Sequence, residues 1–323
     1  MKKNGFGNKY TNVVIIGGGH GQSAICRGIK NIENLRISAI VTVADDGGST
    51  GRLRRRFHIP AMGDIRNVMI ALAESESLMG NLMDYRFEDE SGDESDVGGH
   101  NLGNLILTAL TQQCGSFLEA VQTIGKILNV KGNIIPATTQ VITLYALMED
   151  GVIVKGEANI PTRHNRIRKV FYEETVHAAP EAVDALLSAD LIIYGIGSVY
   201  TSILPNIIIP EMNEALNKSK ARKVYFCNAM TQPGETDGFS LEDHVQALIN
   251  HGAPVDEVVF ASDKLPQAVI AKYEKEGSIP VIEREAEHPY RIHYENLLSF
   301  DADLIRHDSL KIERAIRHLT EEL

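Results

Sequence analysis

VVIIGGGHGQSAICRGI, residues 13–29, decides the fold. Four β-branched apolar residues run into three consecutive glycines, and a helical pattern resumes at once. A run this short and this continuously apolar is a strand buried on both faces. Glycines directly after it let the chain turn tightly and present backbone N–H groups at a helix start, where an anion is favoured. Gly19, Gly21 and Ala24 fit the G-x-G-x-x-A form of the dinucleotide fingerprint, although strict G-x-G-x-x-G fails. Packing of strand against helix would need only one glycine. Gly18, Gly19 and Gly21, with His20 among them, are therefore read as an anion-binding loop.

Outward from this unit the pattern repeats. Residues 36–44, 190–197, 222–228 and 256–262 are further buried strands, and helices are predicted over 22–31, 65–74, 180–188, 241–250 and 266–276. The expected fold is α/β: a three-layer α/β/α Rossmann-like arrangement with a mostly parallel sheet. Residues 139–160 form an inserted antiparallel hairpin that turns at Asp150-Gly151. Six acids between Glu88 and Asp96, mixed with Gly and Ser, predict a mobile acidic loop over 88–99. A final amphipathic helix spans 309–322, with Asp308 or Ser309 as its N-cap. With no repeat or visible boundary, residues 1–323 are read as a single domain.

The 323 residues carry 32 Lys and Arg against 43 Asp and Glu, a net charge of −11. That field repels nucleic acid and anionic membranes, so a phosphate site must be a local exception. The most apolar stretch, residues 190–210, is interrupted by Gly, Ser and Pro, and the N-terminus has no apolar signal core. A cytoplasmic protein is expected, with neither nucleic acid nor membrane as partner. Cys26, Cys114 and Cys227 lack C-x-x-C spacing and read as small buried hydrophobes. A homo-oligomer is the default for such a chain.

The local exception is VTVADDGGSTGRLRRRF, residues 41–57. Asp45 stands where a ribose-binding acid would stand, which keeps NAD as a candidate cofactor. Asp46, Gly47, Gly48, Ser49 and Thr50 instead supply a second carboxylate, two hydroxyls and an anion nest, which suits Mg2+ bridging to a nucleotide diphosphate; Asp45 is the metal-ligand candidate. Arg52, Arg54, Arg55 and Arg56 cannot all face one ligand from a helix, and Arg52 is assigned to the site. Asp64 either caps a helix or contacts the ligand. His100 is a base or a hydrogen-bonding residue, and Asn101 and Asn104 either contact the ligand or cap a helix. Gly197, Ser198, Thr201 and Ser202 follow one parallel strand; Asn228, Thr231 and Gln232 follow the next. All lie at the edge where such sheets bind ligands. No nucleophile elbow, Walker lysine or zinc spacing occurs.

VVIIGGGHGQS, VTVADDGGSTGRLRR, GDIRNVMIALAE, GGHNLGNLIL, LMEDG, GSVYTSILPNIIIPE and CNAMTQPGETDGF, in this order, resemble the YvcK-like gluconeogenesis factor family, relatives of the CofD phospholactate transferases. The resemblance implies a CofD-like fold and a cytoplasmic factor, needed for cell shape and growth on gluconeogenic carbon, that binds UDP-sugars such as UDP-N-acetylglucosamine. It assigns binding roles to Gly18, Gly19, Gly21, Asp45, Gly47, Gly48, Ser49, Arg52, Asn101, Asn104, Gly197, Ser198, Thr201, Asn206, Asn228 and Thr231. LIRHDS, residues 304–309, is similar to the family's C-terminal Arg-His-Asn segment and makes Arg306 a candidate for closing the site. The transferase branch implies the alternative, a metal-dependent enzyme moving a phospholactyl group from a nucleotide diphosphate donor. His20 stands where the family usually has Thr, and Ile196 where it usually has Pro.

Overall fold

A computed structural model describes residues 10–88, 97–284, 287–300 and 304–322. The acids of the predicted mobile loop fall mostly at residues 89–96, outside the described residues. The first half of the chain runs β1 (Thr11–Gly17), α1 (Gly19–Ile29), β2 (Leu35–Val41), α2 (Gly48–Phe57), α3 (Gly63–Leu72), α4 (Glu76–Met83), α5 (Leu102–Cys114), α6 (Phe117–Ile127) and β3 (Asn133–Pro136). An insert follows, β4 (Tyr145–Met148), β5 (Ile153–Lys155) and β6 (Ile167–Phe171). The chain then returns through α7 (Pro180–Leu187), β7 (Leu191–Tyr194), α8 (Leu204–Ile207), α9 (Pro210–Lys218), β8 (Arg222–Phe226), α10 (Leu241–Asn250), β9 (Glu257–Ala261), α11 (Gln267–Lys275) and β10 (Arg291–Glu295). It closes with β11 (Leu298–Ser299), β12 (Arg306–His307) and α12 (Ser309–Glu321).

Seven strands form one parallel sheet in the order β10-β9-β8-β7-β1-β2-β3. Every residue of β7, and Val13 to Gly17 of β1, is buried, as strands covered on both faces must be. The direction of the strand order reverses beside β1, because β2 lies on one side of it and β7 on the other. Loops leaving β1, β2, β7 and β8 therefore meet over one crevice at the carboxyl edge. α1 packs between α3 and α12, and Gly28 makes the second contact close: a Cβ there would stand 2.7 Å from the Ser309 carbonyl oxygen.

The hairpin turns at Asp150-Gly151 as expected, and β6 joins it as a third antiparallel strand in a sheet separate from the main one. Cys26 and Cys227 are buried, which pushes each thiol up to about 12, whereas Cys114 is only half-buried and departs from the expectation. Asp308 is the N-cap of α12: its carboxylate accepts from the N–H groups of Leu310 (2.8 Å) and Lys311 (3.1 Å). Asp308→Ala is expected to cost about 1 kcal/mol of stability. Urea unfolding should show a lower midpoint with an unchanged slope. An unchanged midpoint would mean that the cap carries no weight beyond the packing of Ile312, Ala315, Ile316 and Leu319.

Candidate functional site

The first wall of the crevice is the glycine loop. Gly19 takes the left-handed conformation at φ +63, and no side chain fits beside Gly18, whose Cβ would fall 2.4 Å from Asp64 Oδ2 and 2.6 Å from Thr42 Cγ2. At Gly21 a Cβ would fall 2.1 Å from the Ile196 carbonyl oxygen. Buried Gln22 bolts α1 to the sheet, its Nε2 donating to the carbonyls of Ile15 (3.0 Å) and Ile40 (2.9 Å). Asn206, fully buried, donates from Nδ2 to the Gly17 carbonyl at 3.2 Å and braces the same loop from behind. His20 is exposed at the mouth.

The second wall begins at Asp45. Gly48 sits at φ +44 as α2 starts, the Gly47 N–H donates to Asp45 Oδ1 at 2.9 Å, and the Ala158 N–H donates to Asp46 Oδ1 at 3.0 Å. Asp46 thus ties the loop to the insert. Ser49 and Thr50 are buried in the first turn of α2. Arg52 is half-buried and donates to the Gly98 carbonyl at 2.7 Å, while Arg55 and Arg56 are exposed. Arg54 is the buried member of the cluster, and its targets are backbone carbonyls: Ala44 (3.2 Å), Asp45 (2.6 Å) and Ile142. Burial is the main cause that lowers its pKa, opposed by the charges of Asp46 and Asp45. It clamps the strand end in place.

Where the motif reading had placed the Asp45–Asp46 pair, Glu157 lies within electrostatic reach of four other carboxylates, Asp45, Glu235, Asp46 and Asp64. Asp64, in the first turn of α3, makes no capping bond to that helix; it faces the first glycine loop and accepts from the Gly19 N–H. The cap reading is therefore corrected: with Met62 at the N-cap, the Asp64 side chain turns away from its own helix. Burial and the charge of Asp45 push Asp64 up to about 7. Glu157, in the turn after β5, is pushed up to about 8 by burial and by the charges of Asp45, Glu235, Asp46 and Asp64. Glu235, buried, accepts from the hydroxyls of Ser198 and of Thr201 (3.1 Å), yet burial still pushes it up to about 7. Asp45 is raised as well, burial being the main cause. Among the described residues no three carboxylate, imidazole or thiol groups converge tightly enough to hold a metal ion by themselves. The sequence singled out neither Glu157 nor Glu235, because nothing local distinguishes an acid in a turn from one aimed across a crevice.

The β7 and β8 loops are stitched together. Asn228 Nδ2 donates to the Gly197 carbonyl at 2.8 Å, and the Gly197 N–H donates to Asn228 Oδ1 at 3.2 Å. Ser198 Oγ accepts from the Thr201 N–H at 3.0 Å as a π-helical turn begins, and Ser202 stays half-exposed. Thr231 pairs with Ile279 on both backbone and hydroxyl, and Gln232 Nε2 donates to Glu235 at 3.1 Å. Arg306 is exposed on β12, whose partner β11 is held by Asp263 just beyond β9. Asn101 stands at the N-cap position of α5 without a side-chain cap; its Nδ2 donates to the Asp84 carbonyl at 3.2 Å. Asn104 joins Arg66 to Ser49, with Arg66 Nη1 donating to its Oδ1 at 3.0 Å and its Nδ2 donating to Ser49 Oγ at 3.1 Å.

This sheet and this crevice define an α/β protein of the Rossmann-like class. The sequence profile of the family described as 2-phospho-L-lactate transferase CofD matches residues 13–298. The gluconeogenesis factor of Bacillus subtilis is 43% identical over 316 residues, 96% of this chain and 98% of its own. The putative gluconeogenesis factor of Thermotoga maritima is 40% identical over 317 residues, 95% and 99% of the two chains. A crystal structure of a Bacillus halodurans protein described as a member of the upf0052 family superposes with a TM-score of 0.89 at 42% identity, covering 96% of this chain and 99% of that one. The chain belongs to the CofD family, in the YvcK branch of the gluconeogenesis factors.

Proposed function

We propose that this protein is a cytoplasmic regulatory factor that binds a nucleotide-sugar, of the class of UDP-N-acetylglucosamine, and supports cell shape and growth on gluconeogenic carbon. The observation that carries the reading is the convergence of glycine-lined helix starts at one sheet edge: α1 at Gly18-Gly19 and α2 at Gly47-Gly48, with α5 beginning beside them at Asn101. Helix N-termini and backbone nests favour the phosphates of a diphosphate, and the hydroxyl and amide side chains of the β7 and β8 loops suit a sugar. The name borne by the Bacillus subtilis relative supports the gluconeogenic role. No helix among the described residues is long and apolar enough to cross a membrane.

Calorimetric titration with UDP-N-acetylglucosamine, followed by mass analysis of the recovered ligand, tests this. Saturable binding is expected, with the ligand returned intact and Arg306→Ala binding more weakly. No saturable binding, with Arg306→Ala indistinguishable from the parent protein, defeats the proposal. The acid group favours a second reading, a metal-dependent transferase of the phospholactate type. Mg2+ commonly takes one or two carboxylates and completes its shell with water and phosphate oxygens, and Asp45 is the residue such an ion would use. Under that reading Mg2+ tightens diphosphate binding, Asp45→Asn removes the effect, and the titrated ligand returns cleaved. NAD, through Gly19, Gly21 and Asp45, is tested in the same cell by competition with the UDP-sugar.

A further inference from the structure

Four side chains between α3, α5 and α2 form a chain of hydrogen bonds whose direction is fixed from one end. Arg66 can only donate, and its Nη1 lies 3.0 Å from Asn104 Oδ1. That contact fixes the amide, so Asn104 Nδ2 is the group 3.1 Å from Ser49 Oγ, and it donates. Ser49 has one proton and one further partner among the described residues, His100 Nδ1 at 2.8 Å. A second donation into Ser49 Oγ, from His100, would leave the hydroxyl proton without an acceptor. Ser49 therefore donates, His100 Nδ1 is bare, and the ring proton sits on Nε2.

His100 itself is only 6% exposed, and among the described residues its Nε2 meets no hydrogen-bond partner. Among the described residues, two cations flank it. Arg52 Nη2 and Arg86 Nη1 each donate at 2.7 Å, to the carbonyls of Gly98 and Gly99, the two residues that lead into His100. The first turns of α2 and α5 begin at Gly48 and Leu102 on either side. Burial, with the charges of Arg52 and Arg86, lowers the pKa of the imidazole.

We propose that His100 offers a fixed, neutral Nε2–H to a phosphate group, forming an anion subsite with Arg52 and Arg86, and that Arg66 sets its tautomer through Asn104 and Ser49. The phosphate class of the ligand rests on the function proposed above; the tautomer does not. His100 is thereby a binding residue with no role as a base, and Ser49 and Asn104 are positioning residues.

Long-range proton–nitrogen spectra of the full chain with labelled histidine test the assignment, with inorganic pyrophosphate as the probe. In the free protein His100 should show the Nε2–H tautomer, and pyrophosphate should move its Nε2 resonance. Asn104→Asp should invert the tautomer, because a carboxylate cannot donate to Ser49 and the hydroxyl must turn toward it. His100→Ala should weaken pyrophosphate binding by about tenfold to a hundredfold, the range for a hydrogen bond to a charged group. His100→Gln, which keeps a neutral donor, should restore most of that affinity. An Nδ1–H tautomer in the free protein overturns the proposal. So does pyrophosphate that fails to bind, that binds without moving the Nε2 resonance, or that binds equally well to His100→Ala. Failure of UDP-N-acetylglucosamine to bind while pyrophosphate moves His100 would sink only the nucleotide-sugar reading.

Discussion

Replacing Gly21 by alanine is expected to lower stability and to remove ligand binding together, although alanine is the better helix former. The new Cβ would stand 2.1 Å from the Ile196 carbonyl oxygen, 2.5 Å from its carbon and 3.0 Å from the Gly197 nitrogen. All three are backbone atoms, so no side-chain rotation relieves the contact. Helix propensity favours alanine by about 1 kcal/mol, while overpacking a tight site costs about 1–3 kcal/mol and occasionally more. The loop forced to move is the one Asn228 holds through Gly197, which links the stability loss to the crevice. Gly125→Ala in α6 is the control, because a Cβ there meets nothing within 4 Å, and it should be neutral or stabilising. Denaturant midpoints of the two variants check the expectation; equal midpoints would mean that α1 and the β7 loop separate without cost.

The second large effect is on pH dependence. Asp64 and Glu235 titrate at about 7 and Glu157 at about 8 in the folded protein, against ordinary values of 3.8 for Asp and 4.5 for Glu. Between those limits the folded state holds more protons than the unfolded one, so these groups make stability fall as pH rises from about 4 to about 8. Glu235→Gln removes one buried charge and keeps a group that can hydrogen-bond Ser198 and Thr201. Relative to the parent protein, its melting temperature should climb between about pH 4.5 and about pH 7 and level off above that. A difference that stays flat across that range would show that Glu235 ionises as an ordinary carboxylate.

The central strands were legible because burial on both faces leaves a continuous apolar run, as in β1, β7, β8 and β9. Strands at the margins were not. β3 has four residues and ends in Pro136, β10 is mostly polar as RIHYE, and β6 carries two charges in IRKVF. Edge positions are half solvated and do not need the pattern that betrays a buried strand. Two glycine-led helices begin before their predicted starts, α1 at Gly19 against residue 22 and α3 at Gly63 against residue 65, since glycines hide a first turn from propensity. At the site, glycine loops and adjacent aspartates are local in sequence and could be read. The opposing acids come from a helix start, the insert and the β8 loop, and only the topology brings Asp64 and Glu157 within electrostatic reach of Asp45, and Glu235 within reach of Glu157. Among the arginines, Arg54 and Arg52 differ by half a turn of helix, so their burial depends on how α2 lies against Ala44 and Ile142.

The placement of β1 has a consequence for how the chain is made. β1 pairs with β2 soon after synthesis, but its other edge waits for Leu191 to Tyr194, and α1 waits for α12 to cover Gly28. Elements made earlier in this chain thus occupy the middle of the fold and are sealed by elements made much later. Loop closure over such separations slows folding, and an open strand edge beside an uncovered helix is the kind of surface that aggregates. Cellular yield should therefore follow the pace of translation and the supply of chaperones as closely as it follows the stability of the finished fold.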